Sequence, residues 1–173
     1  MKRLFAVVVV LVAMSAAAEE QSVEQQAAPP APPAVKRVSG HLGIVTPLVT
    51  ARASGVSSIA NGFVFGVTSG LGLNIIGPLN FDAELVTLID TANRVVDIVI
   101  HPGLLVSLPL GFTTGVRGAW ETQGAWGFTP LLNKGFKVGS NVLYVEAAFP
   151  VRWAMQPAST AAFTFALHAG IGF

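Results

Sequence analysis

The chain of 173 residues contains no cysteine, and only 11% of its residues are charged, against about 25% in a typical soluble domain. Without cysteine there is no disulfide scaffold, thiolate metal site, cysteine nucleophile or lipid-modified N-terminal cysteine. Long helices are disfavoured too, because 18 glycines and 11 prolines interrupt a chain that is 52% hydrophobic. The composition therefore argues against both an ordinary soluble protein and a helical bundle.

The N-terminus has the layout of a cleaved export signal. Lys2 and Arg3 precede an apolar stretch at residues 4–13, and small residues then lead to Ala18. We expect cleavage after Ala18, because the apolar stretch is about half of the roughly 20 residues that a membrane-spanning helix needs. The mature chain then has eight basic and nine acidic residues, so it has no positive charge to attract nucleic acid.

Residues 19–37 form a low-complexity segment rich in glutamate, glutamine, alanine and proline. Prolines at this density favour an extended spacer that has no packed core. We interpret the segment as a disordered linker, with a peptidoglycan-binding or partner-binding arm as the alternative.

Apolar residues alternate with small or polar ones through most of residues 38–173, and no apolar run of 18 or more is free of glycine or proline. In the last segment Phe163, Phe165 and Leu167 share one face, while Thr164 and His168 share the other. This period-two pattern is typical of strands with two different faces. Eight segments show it, at residues 38–50, 61–74, 81–90, 95–108, 111–121, 125–136, 141–153 and 163–173.

Eight antiparallel strands of about 9 to 11 residues match the geometry that crosses a bilayer at a tilt. The expected fold is therefore an all-β, eight-stranded, antiparallel up-and-down transmembrane β-barrel. Alternation alone would also suit a soluble lipocalin-like barrel with its apolar face inside. We expect the apolar face to contact lipid, because the other face has too few charges for a soluble exterior. Four prolines lie within strands, where bulges or shortened strands are expected, at Pro47, Pro102, Pro130 and Pro150.

Aromatic residues support this choice of face. If both termini are periplasmic, Trp120, Trp126 and Trp153 fall near the extracellular ends of their strands. Two aromatic girdles are then predicted, as in barrels that span a membrane. The periplasmic girdle would contain Phe81, Phe112, Phe136 and Phe173.

The chain ends on Phe173 after the alternating apolar residues Leu167, Ala169 and Ile171. With the export signal, this ending resembles small eight-stranded bacterial outer-membrane β-barrel proteins of the outer-membrane barrel-domain type. The resemblance covers residues 38–173 and implies an outer-membrane location in a Gram-negative cell envelope. It also implies that these four residues are an assembly signal, and that the partners are outer-membrane lipids and, during biogenesis, periplasmic chaperones and the barrel-assembly machinery. The expected organisation is a signal peptide at 1–18, a linker at 19–37 and a barrel at 38–173.

Charged and histidine side chains fall in the register opposite to the apolar face, so they would line the lumen. An eight-stranded interior is just wide enough to be filled by side chains, so we expect a narrow, filled lumen. Arg117 and Glu146 could pair across it, and His41 and His168 are expected to lie close together near the periplasmic end, beside Asp82. The predicted lumenal polar network comprises Asp82, Glu84, Asp97, Arg117, Glu121, Glu146, Arg152, His41 and His168, and Asp90 and His101 share its register.

The same residues give little indication of a catalytic or metal-binding site. Asp82 and Glu84 could form an acid–base pair, but no nucleophile or oxyanion donor accompanies them. Ser39 beside His41 is a weak candidate for lipid hydrolysis. We therefore expect no enzyme activity, no cofactor and no metal, with a metal pair at His41 and His168 as the alternative.

We hypothesise a structural or envelope-integrity role for the barrel. Two alternatives stay open: a barrel that transports or binds small apolar ligands, and a secreted lipocalin-like binding barrel. Apolar residues in the lumen register favour the first of these alternatives, at Val86, Leu88, Val99 and Leu105.

Overall fold

The computed structural model describes residues 37–154 and 160–173, so the expected signal peptide and nearly all of the expected linker lie outside the described residues. No helix among these residues is both long and apolar enough to span a membrane. The elements are β1 (Val38–Arg52), β2 (Gly55–Ser58), β3 (Val64–Ile76), β4 (Leu79–Asp90), β5 (Val95–Ser107), a 3₁₀ turn (Pro109–Gly111), β6 (Phe112–Glu121), β7 (Ala125–Val138), β8 (Asn141–Ala148), β9 (Val151–Ala154) and β10 (Ala162–Gly172).

The strands form a closed antiparallel barrel, because β1 pairs with β3 on one side and with β10 on the other. The strands β8 and β9 both lie between β7 and β10, so together they form one of the eight barrel strands. The additional short strand β2 pairs with the last part of β1. The predicted eight-stranded antiparallel barrel is confirmed, while β2 lies in a connection for which no strand was predicted.

Side chains alternate between the two faces of the wall, as period-two strands require. On β4, for example, Leu85 points outward and is 44% exposed, whereas Glu84 and Val86 on either side point inward and are buried. The large apolar side chains are thus exposed on the outer face, while ionisable residues are buried inside. This is the reverse of the usual arrangement in a water-soluble protein.

Three of the four strand prolines disturb the ladder, because proline has no amide hydrogen to donate. The pairing register of β1 with β10 shifts between Pro47 and Val49. The pairing of β5 with β6 is interrupted around Pro102, and Pro150 lies between β8 and β9. Pro130 keeps its register partner on β6, so no break occurs there.

The two ends of the barrel differ. We call the end that carries Gly40 and Phe173 the terminal end; there the two backbones exchange hydrogen bonds of 2.9 Å in each direction. We call the other end the loop end. Tryptophans cluster near the loop end, where the rings of Trp126 and Trp153 are 5.2 Å apart. At the terminal end the Lys134 ammonium lies over the Phe112 ring, 4.4 Å from its centroid.

Candidate functional site

Four ionised side chains meet at the middle of the lumen, and we call them the central charged layer: Asp82, Glu84, Arg117 and Glu146. Arg117 donates from Nε to Asp82 Oδ2 at 2.6 Å and from Nη1 to Glu146 Oε1 at 2.9 Å. Its Nη2 lies 3.3 Å from Glu84 Oε2. None of these side chains is more than 5% exposed. One guanidinium therefore holds three buried carboxylates together.

A glycine makes this arrangement possible. Asp82 on β4, Gly103 on β5 and Arg117 on β6 are aligned in register, so Gly103 lies directly between the two charged residues. A Cβ atom at position 103 would lie 2.6 Å from Arg117 Cγ. Because Gly103 has only a hydrogen atom in place of a side chain, the side chains of Asp82 and Arg117 can contact each other across β5.

His168 anchors the second half of the network. It is the register partner of Glu146, and its Nδ1 lies 3.3 Å from Glu146 Oε1. In the neutral imidazole Nδ1 donates to the carboxylate, so Nε2 accepts from the hydroxyls of Thr68 at 2.8 Å and Tyr144 at 2.9 Å. Gly43 leaves room for these groups, since a Cβ there would be 2.6 Å from both His168 Nε2 and the Tyr144 hydroxyl.

The hydroxyl, imidazole and carboxylate of Thr68, His168 and Glu146 have the connectivity of a catalytic triad. Thr68 is completely buried, however, at 0% exposure. A nucleophile must be reached by its substrate, so this geometry supports a structural hydrogen-bond chain instead. Ser39, the sequence candidate beside His41, contacts the terminal-end cavity, and no serine hydroxyl in residues 37–154 and 160–173 is hydrogen-bonded to a histidine.

His41 contacts the layer from the terminal side. Its Nε2 donates to Glu84 Oε2 at 3.2 Å, and its Nδ1 lies 3.8 Å from Asp82 Oδ1. The ring fits against Gly70, where a Cβ would be 2.4 Å from Nε2. His41 and His168 do not touch, because His41 is paired with Gly172 while His168 is paired with Val45, four residues further along β1.

The aromatic ring of Tyr144 connects the two histidines that were expected to meet. Its centroid lies 6.2 Å from that of His41 and 5.1 Å from that of His168. The expectation of a compact cluster at the terminal mouth is thus replaced by a chain of contacts deeper in the lumen. Tyr144 and Thr68 were not included in the predicted network. Their position in the lumen register was the feature that could have identified them.

A second ion pair lies on the loop side of the layer. Arg152 donates from Nε to Glu121 Oε1 at 2.7 Å, and its Nη2 donates to Thr129 Oγ1 at 3.0 Å and to His101 Nε2 at 2.9 Å. Because a guanidinium can only donate, His101 Nε2 is the acceptor and Nδ1 carries the proton. That Nδ1 is buried without a hydrogen-bond partner, 3.8 Å from Glu84 Oε1.

Asp97 and Asp90 lie outside this network, although both share its register. Asp97 accepts from the Thr122 hydroxyl at 2.6 Å and the Gln123 amide at 3.1 Å, so it supports a turn at the loop end. Asp90 accepts amide hydrogens from Ala92 and Asn93 in the next turn. Asp97 was predicted to belong to the lumenal network, and the hydrogen bonds that it makes are to the turn near the rim.

The layer lies between two cavities. The one at the loop end has a volume of about 620 Å³ and the one at the terminal end about 450 Å³. Arg117 and Glu146 line both. A narrow, side-chain-filled lumen was expected; the lumen is filled at its middle and open towards both ends.

Comparison with known proteins bears on the fold. No protein-family model matches the chain, and no curated protein matches it either. A crystal structure of Neisserial surface protein A is similar over 78% of this chain and 95% of that chain, with a TM-score of 0.54 and 12% sequence identity. At this identity the likeness shows a shared barrel fold and nothing finer.

Proposed function

We propose that the chain is an integral outer-membrane barrel with a structural role in the cell envelope, and that the central charged layer closes its lumen. One observation carries the proposal: the outer wall exposes large apolar side chains, while the charged layer is buried inside. Soluble proteins rarely expose contiguous apolar patches above a few hundred Å². A bilayer solvates such a wall, and the closed ladder leaves no unpaired strand edge in lipid.

Side chains at the two ends fit the same proposal. If the barrel spans a membrane, the Trp126 and Trp153 pair near the loop end and Phe112 at the terminal end would serve as aromatic girdles at the headgroups. Lys134 has an apolar stem in the outward register, and its ammonium group reaches back to the Leu110 carbonyl at the terminal rim. Lysines at a lipid boundary extend in this way towards polar surroundings.

Fractionation tests the location. In a Gram-negative host the protein is expected to stay in the membrane pellet after carbonate extraction and to sediment with outer-membrane markers. It should also migrate differently on SDS gels before and after boiling, because a closed barrel resists unfolding by detergent. Recovery in the soluble periplasm would contradict the proposal and favour the lipocalin-like alternative.

We also propose that Phe173 is part of the signal read by the assembly machinery. The variant Phe173→Asp is expected to lose most of the heat-modifiable form in cells while still folding in detergent, since its backbone bonds to Gly40 do not need the ring. Phe63→Asp is the matched control, because Phe63 is 47% exposed and Phe173 is 52% exposed. Equal assembly of the two variants would mean that Phe173 is not recognised.

A closed lumen predicts that the barrel does not conduct ions. Because Arg117 and Glu146 lie between the two cavities, the purified protein should insert into planar bilayers without stable conductance steps. A porin recorded in the same bilayers is the positive control. Reproducible ohmic single-channel steps from this protein would overturn the closed-lumen part of the proposal.

A further inference from the structure

The central charged layer has unequal numbers of positive and negative groups. Asp82, Glu84 and Glu146 carry three negative charges, and Arg117 supplies one positive charge. The neighbouring pair of Arg152 and Glu121 is neutral by itself. Buried charges are stable only when they are compensated. With neutral histidines the layer therefore has an excess of two negative charges, which is the charge that one divalent cation would neutralise.

Two carboxylates and one imidazole lie close enough together to bind such a cation. Ligand atoms of His41, Asp82 and Glu84 all lie within 4.8 Å of one another, and His41 Nε2 is 3.2 Å from Glu84 Oε2. Arg117 contacts Asp82 Oδ2 and Glu84 Oε2. The other oxygen of each carboxylate, Asp82 Oδ1 and Glu84 Oε1, is therefore free of the guanidinium.

His101 gives an independent indication from the other side. Its protonated Nδ1 is buried, has no hydrogen-bond partner and faces Glu84 Oε1 at 3.8 Å. Carboxylates that bind metals commonly accept a hydrogen bond from a neighbouring group, which fixes their orientation. A small movement of the Glu84 carboxylate would provide that bond, so His101 is placed to orient this ligand.

An ion can reach the group from one end of the barrel. His41 and Asp82 both line the terminal-end cavity of about 450 Å³, and the His41 side chain is 15% exposed. Glu84 lines the loop-end cavity instead. A hydrated cation entering from the terminal end would thus meet the imidazole before the buried carboxylates.

We infer that His41, Asp82 and Glu84 form a binding site for one divalent transition-metal ion of the Zn²⁺ type. One imidazole nitrogen and two carboxylate oxygens are ligands that Zn²⁺ accepts, and water can complete a tetrahedral set. The coordinating nitrogen gives up its proton and the other ring nitrogen carries one, so the imidazole stays neutral and the charge of the layer becomes zero. The inference does not depend on membrane insertion.

Zn²⁺ titration of the chelator-treated full mature chain, folded in detergent without a histidine tag, tests the site. Calorimetry and metal analysis are expected to give one Zn²⁺ per barrel, with a rise in Tm. The chain has three histidines and no cysteine, so background binding is low. The variant His41→Gln should lose the bound ion and the rise in Tm, whereas His168→Gln, which alters a lumenal histidine outside the group, should keep both.

Cobalt adds a spectroscopic measurement, since Co²⁺ bound by the wild type should give visible absorption bands that His41→Gln lacks. Should His168→Gln fail to fold, the control is Asn133→Ala, because Asn133 lines the terminal-end cavity that His41 also lines. The inference is overturned if the wild type binds no Zn²⁺, or if His41→Gln binds it as the wild type does.

Discussion

Replacing Arg117 by methionine is expected to lower the free energy of unfolding by about 3 to 5 kcal/mol, the usual cost of removing one member of a buried ion pair. Methionine keeps a stem of similar length beside Gly103, so little packing is lost. The loss comes from three carboxylates that keep their charge and lose the guanidinium. Urea unfolding of the barrel in phospholipid vesicles, followed by tryptophan fluorescence, measures it.

Arg152→Met is the matched control for this experiment. Arg152 also binds a carboxylate, but its side chain is 12% exposed and that of Glu121 is 16% exposed, so water compensates part of the loss. The expected destabilisation is therefore smaller than for Arg117→Met. Adding Glu84→Gln and Glu146→Gln to Arg117→Met should restore much of the stability, because two of the three carboxylates left without the guanidinium are removed. A loss no larger than that of Arg152→Met would show that the layer does not need its arginine.

Introducing an arginine at the middle of the outer wall is the second substitution expected to change the free energy of unfolding strongly. Leu85 lies at the centre of β4, points outward and is 44% exposed. Leu85→Arg is expected to cost about 2 to 4 kcal/mol, because the charge would lie at the bilayer midplane. The same vesicle unfolding experiment measures this cost.

Val96→Arg separates depth in the bilayer from the effect of arginine itself. Val96 also points outward, is 55% exposed and is the second residue of β5, near the loop end. Near the interface the cost falls to about 0 to 1 kcal/mol. Similar small losses for both variants would mean that the apolar wall does not face lipid.

Much of the wall could be predicted from sequence because each strand carries its own period. The alternation of Leu85 with Glu84 and Val86 is a local pattern, and it assigned these residues to the faces on which they lie. The pairing of the first with the last strand also followed, because a closed barrel has no other way to satisfy their edges. The short strand β2 carried no such pattern, since four residues are too few to show a period.

The site was harder to predict because it depends on stagger between strands. His41 and His168 lie on paired strands, but only the register shows that His168 is opposite Val45. Stagger is a property of the closed barrel, and no single strand encodes it. Glycines such as Gly103 can be recognised in the sequence, and they indicate places in the lumen where a neighbouring side chain needs space.

The backbone pairing of Gly40 with Phe173 also has a consequence for the order of folding events. It joins the first and last barrel strands, so it closes the longest sequence separation between paired strands in the part of the chain that the structure describes. Such non-local contacts form slowly, because the entropy lost on closing the loop precedes the gain from pairing. Until these two strands pair, the edges of β1 and β10 stay open to other chains. The barrel thus keeps two unpaired edges until its least local pairing has formed.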